Sequence, residues 1–165
     1  MIRHLRAFAL CAASIVAAHR AVAQDVGIEV GKAAPAVVVQ SLDGRNVDLG
    51  QYIGKKPVLI EFWATWCPNC KELEPTLKSV AAKYSGKVTF IGVAVSVNEN
   101  PQRVQAFVKA HELPGEHFFD THGQATEAYD VPATSYVVVI DKSGKIVYHG
   151  QGGDQNLEGA IKKAL

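Results

Sequence analysis

The chain has 165 residues, 48% of them hydrophobic and 20% charged, with 17 Lys/Arg against 16 Asp/Glu and a formal charge of +1. Such a length gives one domain, roughly 100–200 residues being usual, and its core needs no disulfide staples. With no basic run and no interleaving of aromatic and basic residues, the composition excludes nucleic acid as a partner.

MIRHLR opens the chain with Arg3, His4 and Arg6, the apolar run AFALCAASIVAA follows, and Ala21 and Ala23 stand in AVAQ. That order reads as a secretory signal peptide over residues 1–23, cleaved after Ala23, with the mature domain over 24–165. The run is short against the ~20 residues that span a bilayer; a retained anchor helix, holding the protein at the membrane, is the alternative. Cys11 follows Leu10, so no small residue precedes it for lipid attachment. Cleavage removes Arg3, Arg6 and Arg20 and no acid, leaving 14 basic and 16 acidic residues. The expected location is the periplasm or another exported compartment.

VVVQ, 37–40, and the stretch after the Asp43-Gly44 turn predict two short strands. PVLIEFWA, 57–64, is nearly continuous in apolar residues and predicts a buried strand. A helix starts near Pro68, turns Leu73, Leu77 and Val80 inward, and stops at Ser85-Gly86. VTFIGVAV, 88–95, is a second buried strand, and Pro101 opens a helix with Val104, Phe107 and Val108 on its inner face. A short strand at 117–120, a brief helix at 123–129, a strand at 135–141 and a hairpin through Ser143-Gly144 into IVYHG come next. The tail, 154–165, predicts a last helix with Leu157, Ile161 and Leu165 on one face. Strands separated by helices and followed by a hairpin imply an α/β fold, a central mixed sheet covered on both faces.

The mature chain keeps Cys67 and Cys70, both in FWATWCPNCK. Structural zinc normally takes four ligands, and His111, His117, His122 and His149 have no metal-ligand spacing. These histidines are expected on the surface. Haem attachment requires histidine where Lys71 stands. An inert disulfide closing so short a loop stabilises little. Redox exchange fits the placement best. Cys67 follows a buried strand and precedes a helix, whose unpaired N–H groups stabilise a thiolate. A lowered pKa makes Cys67 the attacking group, with Cys70, one turn on, resolving the mixed disulfide.

PVLIEFWATWCPNCKELEP, VTFIGVAVSVNENPQRVQAFVKAHEL and YDVPATSYVVVIDKSGKIVYHG resemble the thioredoxin superfamily, most closely the exported TlpA/ResA-like reductases. The resemblance implies a thioredoxin-like fold and a thiol–disulfide oxidoreductase without a bound cofactor. It also implies protein thiols or disulfides as partners, among them apocytochrome c and copper-site cysteines, with a membrane or periplasmic electron donor. Glu61 stands where thioredoxins carry a buried acid, and is expected to exchange a proton with Cys70; a solvated strand end is the plain alternative. Trp66, Pro68, Ser135 and Tyr136 are expected on the partner-facing surface, while Trp63 and Trp66 can equally be packing residues. Two departures stand out. Ungapped matching puts Ser135 at the family's cis-proline, with Pro132 three residues early, and Leu73 replaces the glutamate three residues after the second cysteine. Two alternatives stand beside the oxidoreductase: a copper(I) chaperone that uses Cys67 and Cys70 as metal ligands, for which losing the proline would open room, and an interaction module with an inert disulfide.

Overall fold

The computed structural model describes residues 26–165; the stretch read as a signal peptide, 1–23, lies outside the described residues. A small hairpin pairs β1 (Val38–Ser41) with β2 (Asn46–Asp48), and a 3-10 turn (Leu49–Tyr52) leads into β3 (Val58–Trp63). Then come α1 (Pro68–Lys83), β4 (Thr89–Val95), α2 (Pro101–His111), β5 (Glu116–Asp120) and α3 (Gln124–Ala128). A closing hairpin, β6 (Tyr136–Ile140) and β7 (Ile146–Gln151), precedes α4 (Leu157–Ala164). All seven strands form one sheet in the order β2-β1-β5-β4-β3-β6-β7. β3, β4 and β5 run parallel, while β6 is antiparallel to β3, giving a mixed sheet.

β3 lies in the middle of this sheet, and all six of its residues are buried. Alternation divides them between two cores. Val58, Ile60 and Phe62 pack on one face with Ile91, Val93 and Tyr136, beneath Ala125 and Tyr129 around α3. On the other face Leu59 packs with Leu73, Leu77 and Val80 of α1 and with Leu157 and Ile161 of α4. Further along that face, Trp63 packs with Ala94, Phe119 and Val104 of α2. The helices therefore cover both faces of the mixed sheet.

The helix signals act where the sequence places them. Pro68 occupies the first turn of α1, and Asn100 caps α2 by accepting from the Arg103 N–H at 2.9 Å. The last helix is shorter than the stretch 154–165. Leu165 ends it exposed, and Ala160 and Ala164 join Leu157 and Ile161 on the buried face.

Candidate active site

β3 delivers the chain into the motif through Ala64, which is buried and accepts from the Cys67 N–H at 3.2 Å, closing a tight turn. Cys67 is extended (φ −79°, ψ 115°) and is the N-cap of α1. Its Sγ accepts from the Cys70 N–H at 3.1 Å, as a capping oxygen would. Cys67 and Cys70 are joined in a disulfide, Cα–Cα 5.3 Å. The positive end of the helix dipole therefore points at Cys67 Sγ.

The loop before Cys67 is fastened by a residue that sequence reasoning missed. Thr65 donates twice to Glu99 Oε2, from N at 2.9 Å and from Oγ1 at 2.6 Å. Glu99 Oε1 accepts from Asn100 N at 3.1 Å and meets Arg103 Nη1 at 3.4 Å; the carboxylate side chain is fully buried. An acid just before an Asn-Pro helix start was the available signal, because unpaired N–H groups gather there. Trp66 Nε1 donates to Val97 O at 2.9 Å, which sets Trp66 (43% exposed) beside Val97 (62% exposed). Pro68 is also exposed. These three side chains make an apolar rim at the disulfide.

Behind the disulfide lies Glu61, 5% exposed and paired in the sheet with Gly92 and Val137. Burial is the main cause, and the Glu74 carboxylate the second, that pushes its carboxyl up to about 8. The solvated-end alternative does not hold. Glu61, Trp63, Cys70, Glu74, Phe107 and Leu113 line a cavity of about 10 Å³, room for about one water. Leu73, at the family's glutamate position, is fully buried in the core and carries no charge to this cavity. Trp63 is core, 2% exposed.

His117 departs from the surface placement expected of it. Its ring lies edge-on to Trp63, centroids 5.6 Å apart, in a space open because Gly92 has no Cβ. Burial pushes this imidazole down to about 4, so it is neutral near pH 7. His111 is half-buried and stacks on Phe107 at 3.8 Å.

Two partner-surface expectations are corrected. Ser135 is fully buried and Tyr136 is 1% exposed, so neither offers a contact surface. Tyr136 belongs to the core beneath α3, where its hydroxyl accepts from the Ile28 N–H at 2.9 Å. Continuing the β3–β6 register by one residue does place Ser135 at the motif end of β3. Its hydroxyl, however, donates to Gly152 O at 2.9 Å, and its carbonyl accepts from Gly152 N and Gln155 Nε2. These bonds hold Ser135 in the left-handed region, φ +60°. Every peptide bond among the described residues is trans, the one before Pro132 included.

Comparison with known proteins follows the same lines. The Redoxin family model matches residues 29–165. The chain belongs to the Redoxin family. The thiol-disulfide oxidoreductase ResA of Bacillus thuringiensis subsp. konkukian is 33% identical over 138 residues, covering 82% of this chain and 79% of that protein. Its Bacillus subtilis counterpart is 30% identical, covering 84% and 76%. Among solved structures, MTB dsbF superposes with a TM-score of 0.66 at 26% identity over 81% of this chain and 96% of that one. A thioredoxin-family thiol:disulfide interchange protein from Chlorobium tepidum shares the fold, TM-score 0.69 at 24% identity, over 81% and 96%. This Redoxin member is a ResA-like thiol–disulfide oxidoreductase with a thioredoxin-like fold.

Two outcomes check this geometry. Proline holds φ near −65°, so Ser135→Pro is expected to destabilise the fold by about 3 kcal/mol or more in urea unfolding. Ser135→Gly should be nearly neutral, since relief of the left-handed cost, ~1–2 kcal/mol, offsets the lost hydroxyl bond, ~1 kcal/mol. Glu61 binds its proton more tightly folded, about 8, than unfolded, 4.5. The stability this contributes is complete below pH 4.5 and is lost as pH rises through about 8. The urea midpoint of Glu61→Gln, relative to the parent protein, should therefore move in the variant's favour across that window.

Proposed function

We propose that this chain is an exported protein-disulfide reductase that passes two electrons to cysteine pairs of exported proteins, with apocytochrome c or copper-site cysteines as its targets. The observation that carries the reading is the Cys70 N–H donating to Cys67 Sγ beside an exposed apolar rim. In the dithiol form the same helix N-terminus stabilises a Cys67 thiolate. Trp66 and Pro68 receive the partner's chain next to that sulfur.

The exchange balances in two steps. Cys67 thiolate attacks one sulfur of the partner's disulfide; the partner's S–S bond breaks, one partner thiolate leaves, and a mixed disulfide forms. Cys70 then gives its proton to the Glu61 carboxylate and attacks Cys67 Sγ. The Cys67–Cys70 bond forms and the partner's second thiolate leaves, so the partner has gained two electrons. A membrane or periplasmic dithiol donor reverses the chemistry. Its first thiolate attacks Cys67 Sγ, the Cys67–Cys70 bond breaks, and Cys70 leaves with the proton that Glu61 returns; the donor's second thiolate then attacks the donor sulfur of that mixed disulfide, the donor's own S–S bond forms, and Cys67 leaves as the thiolate. A carboxyl near 8 suits that role, because it holds its proton in the oxidised protein at neutral pH. No cofactor enters either step. Export rests on the first 23 residues; no helix among the described residues is long and apolar enough to cross a membrane.

With Cys70→Ser, covalent mixed disulfides with partner proteins should accumulate on non-reducing gels; with Cys67→Ser they should not. The opposite pattern would reverse the two roles. Mass spectrometry of the protein from its native host should find Gln24 as the first residue, whereas an intact Met1 in the membrane fraction would mean a retained anchor.

A further inference from the structure

The cavity behind the disulfide has a second carboxylate at its rim. Glu74 lies one helical turn beyond Cys70 on α1 and lines the same cavity as Glu61. Its side chain is 15% exposed and both oxygens are held: Oε1 meets Lys78 Nζ at 2.7 Å, and Oε2 meets His111 Nδ1 at 3.0 Å. His111 is itself fixed by stacking on Phe107, which packs on Trp63 with centroids 5.6 Å apart. Glu74 therefore cannot swing away from the cavity without breaking contacts to both helices.

We propose that Glu74, clamped by Lys78 and His111, is a positioning residue whose fixed negative charge acts on Glu61 across their shared cavity and so sets the pH range over which Cys70 gives up and takes back its proton. This rests on the reading of Glu61 as the proton partner of Cys70. The hydrogen bonds from Lys78 and His111 hold Glu74 below the usual carboxylate range, against its partial burial. It is thus ionised wherever Glu61 titrates. A like charge across a water-poor cavity disfavours a second carboxylate, and Glu61 responds by holding its proton. No hydrogen bond to protein offsets this at Glu61.

The other charged groups around Glu61 are few. From α1 come Lys71 at the cavity wall and Lys78 behind Glu74; from α2 comes His111. His117 of β5 stands next to Trp63 and is neutral near pH 7. The flanking residues of β4 and β6, Gly92 and Val137, carry no charge. Leu73 cannot act in their place, so in this chain the work of an acidic neighbour falls to Glu74, one position later on the helix.

The test uses the full-length oxidised protein, in which neither cysteine titrates. Carboxyl ¹³C NMR with labelled glutamate, assigned by Glu61→Gln, follows the Glu61 titration midpoint. Glu74→Gln should lower that midpoint by on the order of half to one pH unit. Lys78→Met should raise it, because the Glu74 charge is then less screened. Shifts of opposite sign support the proposal. No shift in either variant, or shifts of the same sign, overturns it, since a purely structural effect has no reason to follow charge. A parallel measurement keeps the underlying reading separate. The rate of disulfide reduction by a phosphine, taken as a ratio to the parent at each pH, should change its inflection in Glu61→Gln. If that ratio is flat, Glu61 is not the proton partner of Cys70, whatever the NMR midpoints do.

Discussion

The hydrogen bond from the Cys70 N–H to Cys67 Sγ is the interaction on which the rest of the site depends. It makes a sulfur atom the cap of a helix, where most helices place an oxygen. A thiol is a weak acceptor and a thiolate a strong one, so the bond strengthens as Cys67 loses its proton. Everything nearby serves to keep the sulfur in that place. β3 is buried on both faces and cannot slip without exposing a whole core, Glu99 pins Thr65, and Val97 pins Trp66. The cysteine pair thus follows a strand buried on both faces, while only its rim faces solvent.

The protein buries two carboxyl groups near this pair, and the two sites differ in kind. Glu99 is fully buried but its oxygens accept from Thr65 and Asn100 and lie near Arg103, so its desolvation is offset by hydrogen bonds. Glu61 has no such partners and is driven towards its neutral form. One carboxyl group is a structural hydrogen-bond acceptor; the other, buried beside Cys70 without such bonds, is the group we propose exchanges the proton. Ser135 adds a third cost, a left-handed backbone at a non-glycine residue, which persists because Gly152 and Gln155 hold it there.

Much of this was legible in the sequence. PVLIEFWA announced the buried central strand, Cys67-Pro68 announced the helix start, and the turn at Ser143-Gly144 announced the closing hairpin. Those signals are local, and local physics decides them. What escaped was set by contacts between distant segments. Tyr136 looks like a groove residue until strand alternation, counted from Phe62, puts it on the face away from α1. Ser135 matched the family's proline by position, but its backbone is decided by Gly152 and Gln155, at the other end of the following hairpin. The ring nitrogens of His117 are buried because Gly92, on the neighbouring strand, leaves room for a ring. Glu74 with His111, 37 residues apart in the chain, becomes a pair only once α1 and α2 lie side by side.

The central claim is that the helix N-terminus makes Cys67 the thiolate and leaves Cys70, equally buried, as the thiol beside Glu61. The most direct measurement is the alkylation rate of each cysteine in the reduced full-length protein, resolved by peptide mass spectrometry across pH. Cys67 should react with an apparent pKa below the ordinary thiol value of about 8.5, and Cys70 more slowly, with one above it. Equal rates for the two, or faster reaction at Cys70, would contradict the account.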